Sequence, residues 1–308
     1  MRGEFKMISL FNASANRAPL GERISIDNPQ EVAAEVKNII LLIFSQKIDF
    51  TRFDRVFADI LKLFDGKYPG YRRCNTHYHD LNHTMDCLLV MAKLIHGASL
   101  NGIVFEKRDV TLGLISALMH DTGYIQAVDD KTGTGAQYTV CHIERSITFM
   151  KKYFHDHGLP AEYAPICSDI LRCTGIGVKI AEIKFKTREH EILGKILGSA
   201  DLIGQMADEN YLEKLPFLYH EFKEGGVPGY KNEFDFLMKT PAFWEMVKER
   251  LMVELDHVDL YLRDYFRVLK GVNQDLYRQA IERNMERLKS YLATPRLNFP
   301  GIRQVNIE

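Results

Sequence analysis

Two imidazoles and two carboxylates carry the strongest chemical content in this chain, because each stands where burial without a partner would be costly. His120-Asp121 follows the apolar run Leu112-Gly113-Leu114-Ile115-Ser116-Ala117-Leu118-Met119. A His-Asp pair delivered by a buried helix must have its polarity answered, and a bound cation is the economical answer. Asp201 lies within Leu197-Gly198-Ser199-Ala200-Asp201-Leu202-Ile203, where a lone buried carboxylate wants a cationic partner or a metal. Its alternative is an ordinary exposed helix face, which Gln205 and Asp208 continue. His83 closes the segment Thr76-His77-Tyr78-His79-Asp80-Leu81-Asn82-His83. If the helix there runs from His79, then His79 and His83 share a face one turn apart. The alternative is a polar helix start capped by Asp80.

The dipeptide His-Asp recurs at His79-Asp80 and His155-Asp156. A chain of this composition supplies roughly 0.7 such pairs by chance, so context decides. His155-Asp156 ends the charged stretch Lys151-Lys152-Tyr153-Phe154 and reads as a solvated helix terminus. Together His83, His120, Asp121 and Asp201 offer mixed N and O ligands, which suit zinc, manganese or iron better than calcium. Asp121 is placed to bridge to a second, harder ion, magnesium or manganese, held otherwise by water. A water shared by two metals approaches a pKa near 7 and becomes a hydroxide nucleophile. His79 is then placed as the acid that protonates a leaving alkoxide. Catalytic roles therefore fall to His79 and Asp121, and phosphate ester hydrolysis is the chemistry expected. His142 and Glu144, in Cys141-His142-Ile143-Glu144-Arg145-Ser146, are lesser candidates for a second metal or for supporting the ligands. Being two apart, they do not share a helix face.

The elements that must position these residues are helical. Asp27-Asn28-Pro29 is a helix start, a polar cap followed by proline, and Val32, Val36, Ile39, Ile40 and Ile43 recur at helical spacing behind it. Similar stretches cover 52–65, 81–96, 108–120, 137–157, 160–173, 187–207, 210–224, 241–268 and 274–292. Two-residue alternation is absent, so the expectation is an all-α bundle of about ten helices. It forms a single domain over 28–295, with an N-terminal arm at 1–27 and a tail at 296–308. Forty basic against 41 acidic side chains remove the basic excess of a nucleic-acid binder and of a polybasic membrane anchor. The apolar run Ile39 to Phe44 is far short of the roughly 20 residues of a span. Five cysteines with no C-x-x-C pair argue against a disulfide scaffold and a thiolate zinc site. No secretion signal is legible, and the expected location is a reducing cytoplasm.

The order His, His-Asp, Asp resembles the HD superfamily of metal-dependent phosphohydrolases. Within it, several segments are similar to the catalytic domain of class I cyclic nucleotide phosphodiesterases. Tyr78-His79-Asp80-Leu81-Asn82-His83 resembles that family's Tyr-His-Asn-x-x-His motif, with Asp80 where Asn is usual. Ala117-Leu118-Met119-His120-Asp121 resembles its metal-binding helix end, and Ile170-Leu171-Arg172-Cys173-Thr174 with Ser199-Ala200-Asp201-Leu202 its later Thr-Asp and Ala-Asp-Leu segments. Leu218-Tyr219-His220-Glu221-Phe222-Lys223-Glu224-Gly225 is similar to its Glu-Phe and Gly helix, and Phe234-Asp235-Phe236-Leu237-Met238-Lys239-Thr240-Pro241 to its Phe-Ile-Asp and Pro segment. The likeness spans about 77–250. It implies an HD-domain, phosphodiesterase-like helical bundle, two divalent ions, a hydroxide bridging them and His79 as general acid.

Where the family continues with a second Asp-His, this chain reads Thr122-Gly123-Tyr124, as broader HD proteins do, and Gly175 replaces an aspartate. Lys231 stands at the position of the purine-holding glutamine, with Phe234 as a stacking ring. These two are the candidate substrate-binding residues, and lysine meets a phosphate more readily than both edges of a base. The expected partner is a small phosphate ester such as a nucleotide. A di-iron oxygenase on the same scaffold and a non-catalytic signalling module are the alternatives. The first would need more histidines than His142 around its second metal. The second need not retain the full ligand set that this chain has.

Overall fold

The computed structural model describes residues 25–45 and 47–293. The expected tail, and the expected arm up to residue 24, lie outside the described residues. Within them the chain is an all-α bundle of eleven helices without a strand. In chain order these are α1 (Pro29–Ile43), α2 (Thr51–Phe64), α3 (Leu81–Leu100), α4 (Lys107–Met119), α5 (His142–Asp156), α6 (Tyr163–Arg172), α7 (Arg188–Ala207), α8 (Tyr211–Glu224), α9 (Glu233–Val253), α10 (Tyr261–Lys270) and α11 (Leu276–Leu292). None of them is long and apolar enough to cross a membrane. The five cysteines are free thiols.

Local chemistry explains most boundaries. The Asn28 side chain accepts from the Gln30 N–H, and Pro29 opens α1 without wasting a donor. Asp80 accepts from the His83 N–H at 3.0 Å and starts α3 at Leu81. His79 therefore precedes the helix, and the reading in which it shares a helical face with His83 is corrected. Two expected helices are each divided. The stretch 137–157 begins as a 3-10 turn, Gly135–Tyr138, and becomes α-helical at His142. The stretch 241–268 is two helices, because Asp256 and His257 take the left-handed region, with φ of 53° and 54°. A 3-10 turn, Val258–Leu260, then leads into α10. Pro241 does not start α9. Asn232 does, accepting from the Asp235 N–H, with Glu233 and Asp235 favouring the helix's positive end. The proline is carried inside α9, where the helix forgoes one hydrogen bond.

Two long helices form the axis of the bundle. α3 and α7 each bury 14 of their 20 residues and pack on each other. That degree of burial marks a central helix rather than a surface one. α4 buries 11 of 13 residues and packs against both, while α1 and α10 cover α3, and α6 and α11 cover α7. A single cluster of buried apolar side chains runs from Val32 to Leu288. Gly198 sets how closely α7 can lie to the end of α6, since a Cβ there would stand 2.5 Å from the Cys173 carbonyl oxygen. Asp201 follows one turn later on the same helix, so this approach also sets its position.

Gly198→Val is therefore expected to lower stability by about 1–3 kcal/mol, the usual cost of overpacking. Urea unfolding checks it, and an unchanged midpoint would show that α7 has room to move.

Candidate metal centre and its cavity

The four principal candidates converge. Nε2 of His83 lies 3.2 Å from Asp121 Oδ2, 3.0 Å from Asp201 Oδ1 and 3.2 Å from Nε2 of His120. Nε2 of His120 lies 3.3 Å from Asp121 Oδ2 and 3.6 Å from Asp201 Oδ1. Three helices deliver them: His83 from the first turn of α3, His120-Asp121 from the end of α4, and Asp201 from the middle of α7. His83, His120 and Asp121 are 4%, 1% and 3% exposed.

This geometry fits a cation. Donors about 2.0–2.1 Å from a tetrahedral centre stand about 3.3–3.4 Å apart, and octahedral neighbours about 2.9–3.0 Å apart. Four of the five separations, 3.0–3.3 Å, fall within these bounds, and the fifth, 3.6 Å, lies just beyond them. Asp121 Oδ2 is buried and makes no hydrogen bond of sound geometry. His120 Nδ1 faces the Ala117 carbonyl at 2.8 Å, so its proton sits there and Nε2 turns a lone pair inward. His142 is arranged likewise, with Nδ1 on the Thr139 carbonyl at 2.7 Å and Nε2 3.8 Å from Asp121 Oδ1. The second oxygen of Asp121 thus faces a third imidazole. The α4 C-terminus adds the negative end of a helix dipole.

The same packing shapes the titration. Burial works against a charged His83, but the carboxylates of Asp121 and Asp201 outweigh it and raise the ring to about 9. Burial opposes charge on His120 too, and Asp121 beside it holds the ring well above its ordinary value. Burial would raise both carboxyls, yet His120 and His83 hold Asp121 and Asp201 well below theirs. His142, farther off, is lowered by burial. Protons on buried imidazoles and a divalent cation are thus competing ways to neutralise two buried carboxylates.

Around the cluster stand residues that sequence reasoning missed or left without a role. Glu221, on α8, is buried; its Oε1 accepts the backbone N–H of His77 and Tyr78 at 2.7 and 2.6 Å, and its Oε2 lies 2.6 Å from His79 Nδ1. One carboxylate thereby clamps the loop before α3 and orients the His79 ring, leaving Nε2 toward the cavity. Burial raises Glu221, but the His79 contact and the two N–H donors hold it below its ordinary value. The Glu-Phe pair of α8 was its only sequence signal. Tyr124 stacks between His79 at 4.4 Å and His142 at 4.6 Å. It belongs to the 3-10 turn Thr122–Tyr124. Gly123 in that turn lies so close to α5 that a Cβ would collide with the His142 carbonyl oxygen. Ser146 fastens the junction, donating to the His120 carbonyl at 2.6 Å and accepting the Gly123 N–H at 2.8 Å.

Other sequence candidates lie elsewhere. Glu144 is exposed and pairs with Arg172 at 3.2 Å, away from the cluster that His142 adjoins. Lys231 and Phe234 are exposed at the start of α9 and do not line the cavity over the cluster. That cavity, about 750 Å³, has His79, Asp121, His142 and Asp201 among its lining, and its size suits a small-molecule ligand. Tyr230 and Phe236, flanking the two candidates in sequence, line it instead.

A family model described as Npun_R2479-like, of unknown function, matches residues 130–264, less than half of the chain. The matched span holds His142, Asp201 and Glu221, whereas His79, His83, His120 and Asp121 precede it. No curated protein matches the chain.

Because a cation must displace protons held up to about pH 9 on His83, metal affinity is expected to rise with pH through the neutral range. The gain is about tenfold per pH unit for each proton released. Calorimetric Mn²⁺ titration at pH 6, 7 and 8, in buffers of different ionisation enthalpy, measures the slope and the protons together. An affinity flat in pH would contradict the ligand set.

Proposed function

We propose that the protein is a metal-dependent phosphohydrolase of the HD type, acting on a small phosphate ester. The observation that carries this reading is the convergence of the His83, His120, Asp121 and Asp201 donors on the floor of a cavity that also holds the Glu221-oriented His79. These residues would hold one divalent ion, with Asp121 and His142 able to contribute to a second. Bound cations would supply charge to a phosphoryl group and lower the pKa of water.

The protein's own groups then account for the proton traffic. Glu221 fixes the His79 ring through Nδ1, so the protonated ring carries its second proton at Nε2, facing the ester. A water forms the new P–O bond as the bond from phosphorus to the alcohol breaks. The alcohol leaves with the Nε2 proton of His79, and a proton released from the water restores the ring. A diester and water thereby become a monoester and an alcohol, or a monoester and water become inorganic phosphate and an alcohol, with no proton gained or lost by the protein. Tyr124, stacked on His79, keeps the ring from rotating away. The HD resemblance of the sequence supports the same assignment.

The test pairs elemental analysis with a metal-supplemented phosphatase and phosphodiesterase screen of wild type and Asp121→Ala. Bound divalent metal and Asp121-dependent release of alcohol or phosphate are expected. Iron without hydrolysis would favour an oxygenase, and a folded, metal-free, inactive wild type would favour a signalling module.

His79→Ala should retain metal yet lose about 10²–10⁴ in rate on esters with poor leaving groups. Glu221→Gln should lose about 10–100-fold. Both effects should shrink for nitrophenyl esters, whose leaving group needs no proton. Loss of metal from His79→Ala would remove it from the acid role.

A further inference from the structure

The walls of the cavity have a composition that the catalytic reading does not require. One wall is aromatic, built where α8, the following loop and α9 meet. Phe222, Tyr230 and Phe236 pack with ring centroids 4.6–6.0 Å apart. Another part of the lining is the loop after α6, residues 174–178. Arg250, 6% exposed on α9, donates to the carbonyls of Cys173, Gly175, Ile176 and Val178 at 2.8–3.1 Å. Four of the loop's carbonyls are thus bonded by a residue outside the lining, and Ile176 and Val178 line the space.

Several polar side chains of the lining are engaged as well. Gln205 accepts from the Tyr78 hydroxyl and donates to the Asp201 carbonyl at 3.0 Å. The hydroxyls of Thr139, Thr174 and Thr240 donate to main-chain carbonyls at 2.7–3.0 Å. Among the described residues of the lining, Lys239 is the sole lysine or arginine. Its ammonium is spent on Asp235 at 2.8 Å and the Gly229 carbonyl at 2.7 Å. Apart from Lys239, the exposed side chains of the lining are apolar: Val140, Ile176 and Met246 are 76%, 45% and 42% exposed.

A nucleoside polyphosphate brings several charges and a base rich in donors and acceptors, and burying these against unpaired apolar walls is costly. A single phosphoryl group at the metal floor, carrying an apolar body that lies against the aromatic wall and Ile176, brings far fewer polar groups to be paired. Resting on the phosphohydrolase reading, we propose that the substrate is a phosphate ester of a bulky apolar alcohol, charged only at its reacting phosphoryl group, rather than a nucleotide. The bond cleaved and the proton path are those given above, and the apolar alcohol is the group that departs with the His79 proton.

Calorimetric binding to the Mn²⁺-loaded protein tests this without turnover. Methyl-, butyl- and octylphosphonate are compared with AMP and ATP. Affinity should rise about threefold for each methylene that enters the cavity, and neither nucleotide should bind more tightly than butylphosphonate. Ile176→Glu and Met246→Glu, both at exposed rim positions, should weaken octylphosphonate about tenfold or more and leave methylphosphonate unchanged. Affinity independent of chain length, or a nucleotide that outbinds octylphosphonate, would overturn the proposal. If long-chain phosphonates bind but their esters are not hydrolysed, the apolar ligand class stands and the hydrolase reading falls. If nucleotides are hydrolysed and long-chain phosphonates fail to bind, the reverse holds.

Discussion

Two imidazoles, each within 3.0–3.6 Å of both of two carboxylates in a helical core, set the constraint that the bundle must satisfy. Apart, each buried carboxylate would cost several kcal/mol; together, with protons or a cation between them, they are neutralised. The three helices that deliver them are the most deeply buried in the structure. Packing and charge compensation are thus set by the same crossings, and a shift of α7 against α6 would move Asp201 as well as open a void.

A second layer keeps this cluster in register. Asp80 ends the loop before α3 and begins the helix that carries His83. Glu221 reaches across from α8 to bind that loop by two N–H groups and the His79 ring. Ser146 and Gly123 fasten the end of α4 to the start of α5. The Asp80 contact is local, whereas Glu221 reaches across more than 140 residues and holds the His79 ring by a directional bond. Tyr124 occupies the turn after Asp121 and spaces two histidines by stacking between them.

The cavity over the cluster divides its labour by polarity. Its floor has charge and directed lone pairs, and four carbonyls of one wall loop are bonded from outside the lining by Arg250. Burying an arginine is costly unless its donors are met, and here four carbonyls of one loop meet its two terminal nitrogens, while Nε has no partner.

The sequence by itself determined the helical class, most helix spans and the four candidate ligands, because those signals are local. An apolar run that must be buried makes the His120-Asp121 pair at its end conspicuous, and small residues around Asp201 announce close packing. Boundaries that depended on competing caps were read less well, as at Pro241, where Asn232 starts the helix eight residues earlier than its proline suggests. Glu221, Tyr124 and Arg250 stayed without a role because nothing near them in sequence reveals their partners, which lie on other helices. Lys231 and Phe234 were legible as an aligned position, yet their neighbours Tyr230 and Phe236 face the cavity. Which side of a helix start looks inward is settled by how α9 leans on α8, through long-range packing that no local pattern encodes.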